Sequence, residues 1–102
     1  MPGFRLLRRA RADLLDIAAF TADRWGEAQA ERYLTGLYSG FQTIVDRPDL
    51  RRPFLEIPPY LRALVGKHAV FYRLATEGEI LIVRVLHAAM LPELHLRDVD
   101  ET

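Results

Sequence analysis

Two of the three histidines fall where the strands of a predicted hairpin end, and imidazole is the side chain best suited to acid–base work near neutral pH. We expect His68 and His87 to face each other at the open end of that hairpin. Two imidazoles there could bind a metal ion or act as an acid–base pair. The pattern places no carboxylate or third histidine to complete a site, and the chain has no cysteine. We therefore expect structural or hydrogen-bonding roles, with no metal and no cofactor.

Two arginines are predicted to share one face of the same hairpin. Arg73 and Arg84 would stand at cross-strand diagonal distance, with Phe71 and Ile82 beside them. One interpretation is a solvated sheet face, on which long arginine stems cover apolar atoms. The other is a partner surface, because arginine and aromatic side chains are enriched at interfaces. The pattern leaves both interpretations open.

The helices that must support this hairpin are predicted from apolar residues at helical spacing. We expect helix one over 10–25 and helix two over 27–46, joined by a single tight turn at Gly26 into an antiparallel hairpin. Trp25 belongs to the apolar stripe of helix one, whereas Leu15 and Phe20 lie outside it and could line a partner groove. The stripe of helix two consists of Ala30, Tyr33, Leu34, Leu37, Phe41, Ile44 and Val45.

Two glycines interrupt helix two on one flank. Each of Gly36 and Gly40 costs about 1 kcal/mol relative to alanine in a helix interior, so something should compensate. Close approach to helix one is the expected reason, and a groove for a partner helix is the alternative.

Strands are predicted over 4–7, 60–65, 69–74 and 79–86, and four prolines within 47–59 indicate an extended connection. A two-residue turn at Glu77-Gly78 would join the last two strands. The facing pairs would then be Leu74–Leu81, Tyr72–Val83 and Val70–Val85, on one apolar face against the helices. A four-residue loop would shift the pairing but leave the two faces unchanged. The fold class is therefore α+β. We expect one domain over 1–102, an N-terminal strand and antiparallel helical hairpin packed on a small antiparallel sheet in the order β-α-α-β-β-β.

Charge and hydropathy narrow the function classes. The 102 residues carry 14 Lys and Arg against 14 Asp and Glu, which gives zero formal net charge. A non-specific nucleic-acid binder normally has a strong basic excess, so that class is weakened. No apolar run approaches the roughly 18 residues of a membrane span. We expect a cytoplasmic protein that contacts neither membrane nor nucleic acid directly.

Three segments resemble one known family. These are residues 11–17 (RADLLDI), 66–73 (GKHAVFYR) and 82–87 (IVRVLH), and Arg24-Trp25-Gly26 and His95-Leu96 add to the likeness. In this order they resemble the ParE toxins of the RelE/ParE superfamily. One departure is at the start of helix one, where many relatives have a capping Ser and this chain has Arg8-Arg9.

The resemblance implies a type II toxin that forms a hetero-oligomer with a ParD-like antitoxin. It also implies DNA gyrase as the cellular target, with operator DNA bound only through the antitoxin. The candidates for contact with antitoxin or target are Leu15, Phe20, Phe71, Arg73, Ile82, Arg84 and His87.

The RelE branch of the superfamily is the alternative, because it shares the fold but cleaves mRNA on the ribosome. That chemistry needs cations at the developing charge and a proton-transfer group in reach. Ala88 stands where that branch tends to carry Arg, no tyrosine follows Tyr72, and Lys67 is the only lysine. The sequence therefore favours a non-enzymatic inhibitor over a ribosome-dependent endoribonuclease. A decayed relative that keeps only antitoxin binding is a third, weaker alternative.

Overall fold

The computed structural model describes residues 3–90 and 92–96. Its elements in chain order are β1 (Phe4–Leu6), α1 (Arg8–Trp25), α2 (Glu27–Asp46), a 3₁₀ turn (Pro48–Leu50), β2 (Leu61–Val65), β3 (His68–Leu74), β4 (Ile80–His87) and α3 (Glu93–Leu96). The predicted α+β class and the order of its first six main elements are confirmed. No helix among the described residues is long and apolar enough to cross a membrane.

The helical hairpin forms as its apolar spacing predicts. Gly26 separates α1 from α2 at φ +92°, a backbone conformation that side chains with a Cβ disfavour. The start of α1 has no side-chain cap and no acidic residue in its first turn, as Arg8-Arg9 led us to expect. Trp25 was wrongly predicted to join the core and is 69% exposed. It is the last residue of α1 and lies within a run of exposed residues, 23–28, around the turn.

The sheet has the order β1-β4-β3-β2 and is mixed rather than antiparallel throughout. β1 lies parallel to β4, with Phe4 beside Ile80 and Leu6 beside Ile82. β2, β3 and β4 form the predicted antiparallel meander. A three-residue strand has too few side chains for its pattern to specify a direction, which is why the sequence did not reveal the parallel pairing.

The last hairpin contains two irregularities that the strict alternation of a strand does not predict. Its loop has three residues, 76–78, since the N–H of Ala75 donates to the carbonyl of Glu79 and Gly78 adopts φ +87°. A bulge then follows, because Phe71 pairs with Arg84 while the next residue, Tyr72, pairs with Ile82. The predicted two-residue turn is therefore wrong. Of the predicted facing pairs only Val70–Val85 is observed, and Leu74–Leu81 and Tyr72–Val83 are not.

The bulge changes which residues of β4 face the helices. One extra residue in a strand transfers the following side chains to the opposite face. Ile80 and Ile82 consequently pack with Val70 and Tyr72 in the helix-side core. Leu81 and Val83, predicted to face the helices, lie in the core on the other face. Leu74, also predicted for the helix side, is 45% exposed at the end of β3.

The second face of the sheet is covered rather than open. Phe71, Leu81 and Val83 pack there against Tyr60 and Leu96, with residues of the proline-rich connection over them. That connection is not simply extended. It forms a 3₁₀ turn and a bridge from Pro53 to Leu61 before it crosses the sheet. The protein therefore has a core on each side of the sheet.

The two glycines of α2 have different environments. A Cβ on Gly40 would lie 2.7 Å from both methyl carbons of Val65, so the close approach is to β2 and not to helix one. A Cβ on Gly36 would meet nothing within 4 Å. The predicted close approach to helix one was therefore wrong for Gly40. No close neighbour explains the glycine at position 36.

Matched substitutions separate the two positions. Gly36→Ala is expected to raise the free energy of unfolding by about 0.5–1 kcal/mol, because alanine favours the helix and the site has room. Gly40→Ala is expected to lower it by about 1 kcal/mol, because overpacking against a β-branched neighbour outweighs the same helical gain. Urea unfolding of both variants measures the difference. Equal stabilisation by the two alanines would contradict the packing of Gly40 on Val65.

Candidate functional site

The guanidinium of Arg84 forms a buried, bidentate ion pair with the carboxylate of Asp13 on α1. Arg84 Nε donates to Asp13 Oδ2 at 2.8 Å, and Nη2 donates to Oδ1 at 2.8 Å. The backbone N–H of Val85 adds a third hydrogen bond to Oδ2 at 2.9 Å. Arg84 Nη1 donates to the carbonyl of His95 at 3.1 Å. The two side chains are 11% and 12% exposed, so both charges are largely removed from water.

This arrangement changes the interpretation of the predicted arginine face. Planar guanidinium and carboxylate groups match in two parallel hydrogen bonds, which is the strongest form of such a pair. All three nitrogens of Arg84 are engaged within the chain, and they tie β4 to α1 and to α3. The side chain holds the fold together rather than standing on a solvated surface.

The neighbouring candidates are also less accessible than predicted. Phe71 is 1% exposed and Ile82 is 0% exposed, in opposite cores of the sheet. Arg73 is half-buried on β3. The expected open face of arginine and apolar side chains is therefore wrong, because the bulge divides it and the connecting segment covers it. A role for these residues in binding stays a prediction.

A second polar cluster joins α2 to the open end of the β3–β4 hairpin. His68 and His87 are cross-strand partners with ring centroids 5.6 Å apart, as predicted. The hydroxyl of Tyr33 lies 2.5 Å from Nδ1 of His68 and accepts a hydrogen bond from the N–H of Lys67 at 3.0 Å. Which of the Tyr33 hydroxyl and His68 Nδ1 donates depends on the tautomer of His68. His87 Nδ1 lies 3.1 Å from the N–H of Ala89 and accepts from it.

Glycine is required beside this cluster. Gly66 has φ +58°, and a Cβ there would lie 2.8 Å from the Tyr33 hydroxyl oxygen. Any larger residue would both strain the turn and displace the phenol. The turn between β2 and β3 therefore positions Tyr33 against His68.

The cluster favours a neutral imidazole. Burial lowers the pKa of His68 from its ordinary value of 6.5, and the neighbouring His87 lowers it further, while the charge of Asp13 acts in the opposite direction. A neutral His68 hydrogen-bonds to Tyr33 through Nδ1, which agrees with the hydrogen-bonding role expected from the sequence. Among the described residues, no three His, Cys, Asp or Glu side chains are grouped closely enough to hold a metal ion.

Lowering the pH should weaken folding through His68. The unfolded chain takes up a proton near the ordinary pKa of 6.5, whereas folded His68 does so only at lower pH. The contribution of neutral His68 to stability is fully present above pH 6.5 and is lost as the pH falls through the lowered pKa of the folded state. We expect the Tm of the unmodified chain to fall more steeply between about pH 7.5 and pH 5 than that of His68→Phe. Parallel slopes for the unmodified chain and His68→Phe would contradict this. His87→Phe is the matched variant, because it removes the other imidazole of the cluster and keeps His68.

The outer face of α1 carries the exposed apolar candidates. Leu15 is 73% exposed and Phe20 is 61% exposed. Five helical positions separate them, which corresponds to roughly 140° around the axis, so they flank the outer face rather than form one stripe. The exposed residues Ala12, Asp16 and Ala19 lie between them around the helix axis. The guanidinium carbon of Arg24 lies 5.2 Å from the centre of the Phe20 ring.

His87, the remaining candidate, is exposed at the end of β4.

Comparison with known proteins gives the family. A family model described as the ParE toxin of the type II toxin–antitoxin system parDE matches residues 4–92. The chain belongs to the ParE toxin family. It is 39% identical over 97 residues to Toxin ParE1 of Caulobacter vibrioides, covering 94% of this chain and 99% of the relative. It is 44% identical over 82 residues to Toxin ParE1 of Mycobacterium tuberculosis, covering 79% and 84%.

A more distant relative agrees with this ParE assignment. Toxin ParE of Escherichia coli is 32% identical over 91 residues, and 88% of each chain is covered. A solved chain titled "Chromosomal ParDE TA system from P. aeruginosa" superposes with a TM-score of 0.74 over 85% of this chain and 96% of that chain. At 18% sequence identity, that structure supports the fold alone.

The segments that carry the ParE resemblance meet in space. Asp13, from the helical segment, binds Arg84 from the β4 segment. Tyr33 of α2 contacts His68 of the β3 segment. Sequence reasoning placed Arg84 on its strand and His68 at the open end of the hairpin but missed Asp13 and Tyr33 as partners. Tyr33 was assigned to the apolar stripe, and Asp13 had no pattern that distinguished it from a solvated acid.

Proposed function

We propose that this chain is the toxin of a ParDE-type module, neutralised by a ParD-like antitoxin and acting on DNA gyrase without catalysing a reaction. It would act as one domain over residues 1–102 in the cytoplasm, where gyrase and the chromosome are. The family match supports a toxin of this type. The observation that carries the non-enzymatic part is the commitment of Arg84 to Asp13.

Phosphoryl transfer needs cations that are free to meet the developing negative charge. RelE enzymes are expected to carry an arginine at the position of Ala88, and Arg84 is the strand arginine nearest to it along the chain. The three nitrogens of Arg84 are already hydrogen-bonded. The next position after β4 is Ala88, which is exposed and uncharged. Loss of one transition-state donor costs about 100- to 1000-fold in rate, so loss of several leaves little ribonuclease activity.

The outer face of α1 is the surface that best suits an antitoxin. Leu15 and Phe20 supply apolar contacts at either side, and Ala12, Asp16 and Ala19 lie between them. Antitoxin segments that fold on binding need such anchors to offset the entropy of ordering. Contact with Arg73 and His87 would extend this surface to the sheet. Operator DNA would then be bound through the antitoxin alone, which agrees with the zero net charge.

Induction of the toxin without its antitoxin tests the target. We expect cells to filament and DNA-damage signalling to rise while amino-acid incorporation continues at first, because gyrase inhibition acts on DNA before it acts on translation. The measurement follows thymidine and amino-acid incorporation separately, with plasmid supercoiling assayed on purified gyrase. An empty vector and an Asp13→Ala toxin, which should be near its unfolding threshold at 37 °C, are the controls.

Two results would decide against this function. Prompt arrest of amino-acid incorporation, with mRNA cut at ribosome-occupied codons, would favour the RelE-type ribonuclease. Normal growth despite accumulation of folded toxin would favour a relative that retains only antitoxin binding.

A further inference from the structure

An open cavity of about 820 Å³ lies between the end of α2, the segment that follows it and the outer edge of β2. Ile44 and Tyr72 contribute apolar surface at its base. Gly40 brings α2 against Val65 at one side, and the 3₁₀ turn closes another. The cavity is separate from the Asp13–Arg84 pair and from the outer face of α1.

Four arginines line this cavity against a single acidic side chain. They are Arg47, Arg51, Arg52 and Arg62, and the acid is Glu56. Within the described chain, Arg47 forms the one ion pair of the group, with exposed Asp49 at 2.8 Å. Charge is therefore concentrated here although the whole chain is neutral, and lining of one sign attracts ligands of the opposite sign.

The other three guanidinium groups make their hydrogen bonds and ring contact with neutral groups, although the charge of Asp49 also acts on Arg52. Arg51 Nη2 donates to the carbonyl of Ile44, and Arg52 Nη1 donates to the carbonyls of Asp49 and Arg51. The Arg62 guanidinium lies 5.6 Å from the centre of the Phe54 ring. An entering carboxylate would find charged donors that already face the cavity.

One wall of the cavity is an unfinished sheet edge. β2 is the edge strand, and its outward-facing groups alternate with those bonded to β3. The connecting segment uses two of them, because Phe54 N–H donates to Tyr60 and Arg62 N–H donates to Arg52. The next outward-facing residue is Leu64, whose N–H and carbonyl have no hydrogen-bond partner among the described residues, and its side chain is 63% exposed.

We propose that this cavity binds an extended acidic segment of a partner protein, which pairs with β2 at Leu64 and places carboxylates on Arg52 and Arg62. Strand addition satisfies edge groups that are otherwise open to aggregation, and alternate side chains of the added strand enter the neighbouring cavity. The open edge is short, so three or four residues of the partner suffice.

The same features disfavour two other occupants. Single-stranded nucleic acid relies on exposed aromatic rings for base stacking, but Arg62 lies over Phe54 and Tyr72 is 1% exposed. A second copy of this chain, paired edge to edge, would bring two arginine clusters together, and like charges at an interface are costly.

The test uses a fluorescein-labelled peptide of about twelve residues that alternates valine with glutamate or aspartate, added to the full chain. Its lysine counterpart and a labelled oligothymidine of the same length are the comparison probes. We expect the acidic peptide to bind best, and Arg52→Gln with Arg62→Gln to weaken it about tenfold or more. Arg9→Gln with Arg32→Gln removes the same charge from exposed positions on α1 and α2 and should leave binding within about twofold.

Backbone pairing is tested at Leu64 itself. Leu64→Pro removes the outward N–H without touching the bonds to β3, whereas Leu64→Ala keeps it. We expect the proline variant to lose binding and the alanine variant to retain most of it, with circular dichroism confirming that both fold. Amide exchange at Leu64 should slow when the peptide is bound.

Each other result would overturn the proposal. These are equal binding of the acidic and lysine peptides, preference for the oligothymidine, no binding of any probe, or unchanged exchange at Leu64. Dimerisation of the free chain that Leu64→Pro abolishes would assign the edge to a second copy instead.

Discussion

Replacement of Asp13 by alanine is expected to lower the free energy of unfolding by about 3–5 kcal/mol, because it leaves the buried guanidinium of Arg84 without its counter-charge. The backbone N–H of Val85 loses its acceptor in the same change. The total free energy of unfolding of a domain of this size is about 5–15 kcal/mol, so the variant should be near its unfolding threshold at 37 °C. Urea unfolding followed by tryptophan fluorescence and circular dichroism measures the loss.

The surface pair of Arg5 and Glu79 provides the matched control. Its atoms are 3.6 Å apart and its side chains are 59% and 40% exposed. Arg5→Ala should therefore cost less than about 1 kcal/mol. Asp13→Leu combined with Arg84→Met should recover part of the loss, since apolar groups of similar size can replace a buried ion pair. A similar cost for Asp13→Ala and Arg5→Ala would show that the buried pair does not stabilise the fold.

This result bears on how binding experiments at Arg84 are interpreted. Charge reversal at Arg84 would place a carboxylate against Asp13 in a buried site, so loss of antitoxin binding would report misfolding rather than a lost contact. Arg73→Glu, on a half-buried residue, needs the same check of folding before its affinity is measured.

Leu15→Glu together with Phe20→Glu is expected to weaken the complex with the antitoxin about 1000-fold while the toxin remains folded. Apolar anchors of an interface often contribute 2 kcal/mol or more each, and a carboxylate at such a position must also lose its hydration. Both side chains are more than half exposed in the free chain, so the substitutions should not disturb its core. Calorimetric titration with the purified antitoxin gives the affinity.

The control for this surface is Leu94→Glu, because Leu94 is 70% exposed and lies on α3 rather than on a helix of the hairpin. We expect its affinity to stay within about threefold of that of the unmodified toxin. Equal effects of Leu94→Glu and Leu15→Glu, or no effect of either helix substitution, would move the antitoxin away from α1. A toxin that binds no antitoxin at all would instead contradict the proposed function.

The sequence by itself determined the elements whose cause is local. Apolar spacing, the glycine between the helices and the proline after the second one predicted α2 to the residue and α1 within two residues of its start. The strands were found by their apolar and β-branched runs, and the cross-strand pairing of His68 with His87 followed from the hairpin. The motifs that resemble ParE toxins were also readable without coordinates, and the family comparison confirmed them.

Only the tertiary structure decided which side chains are buried together. The bulge beside Phe71 moves Leu81 and Val83 to the far face of the sheet, because one extra residue reverses a two-residue repeat. No local pattern announces a bulge, since each residue on either side of it still looks like a strand residue. The pairing of Asp13 with Arg84 depends on the same geometry, across 71 positions of chain. Residues so distant in sequence acquire their roles from packing, and for that reason a predicted surface arginine proved to be a buried one.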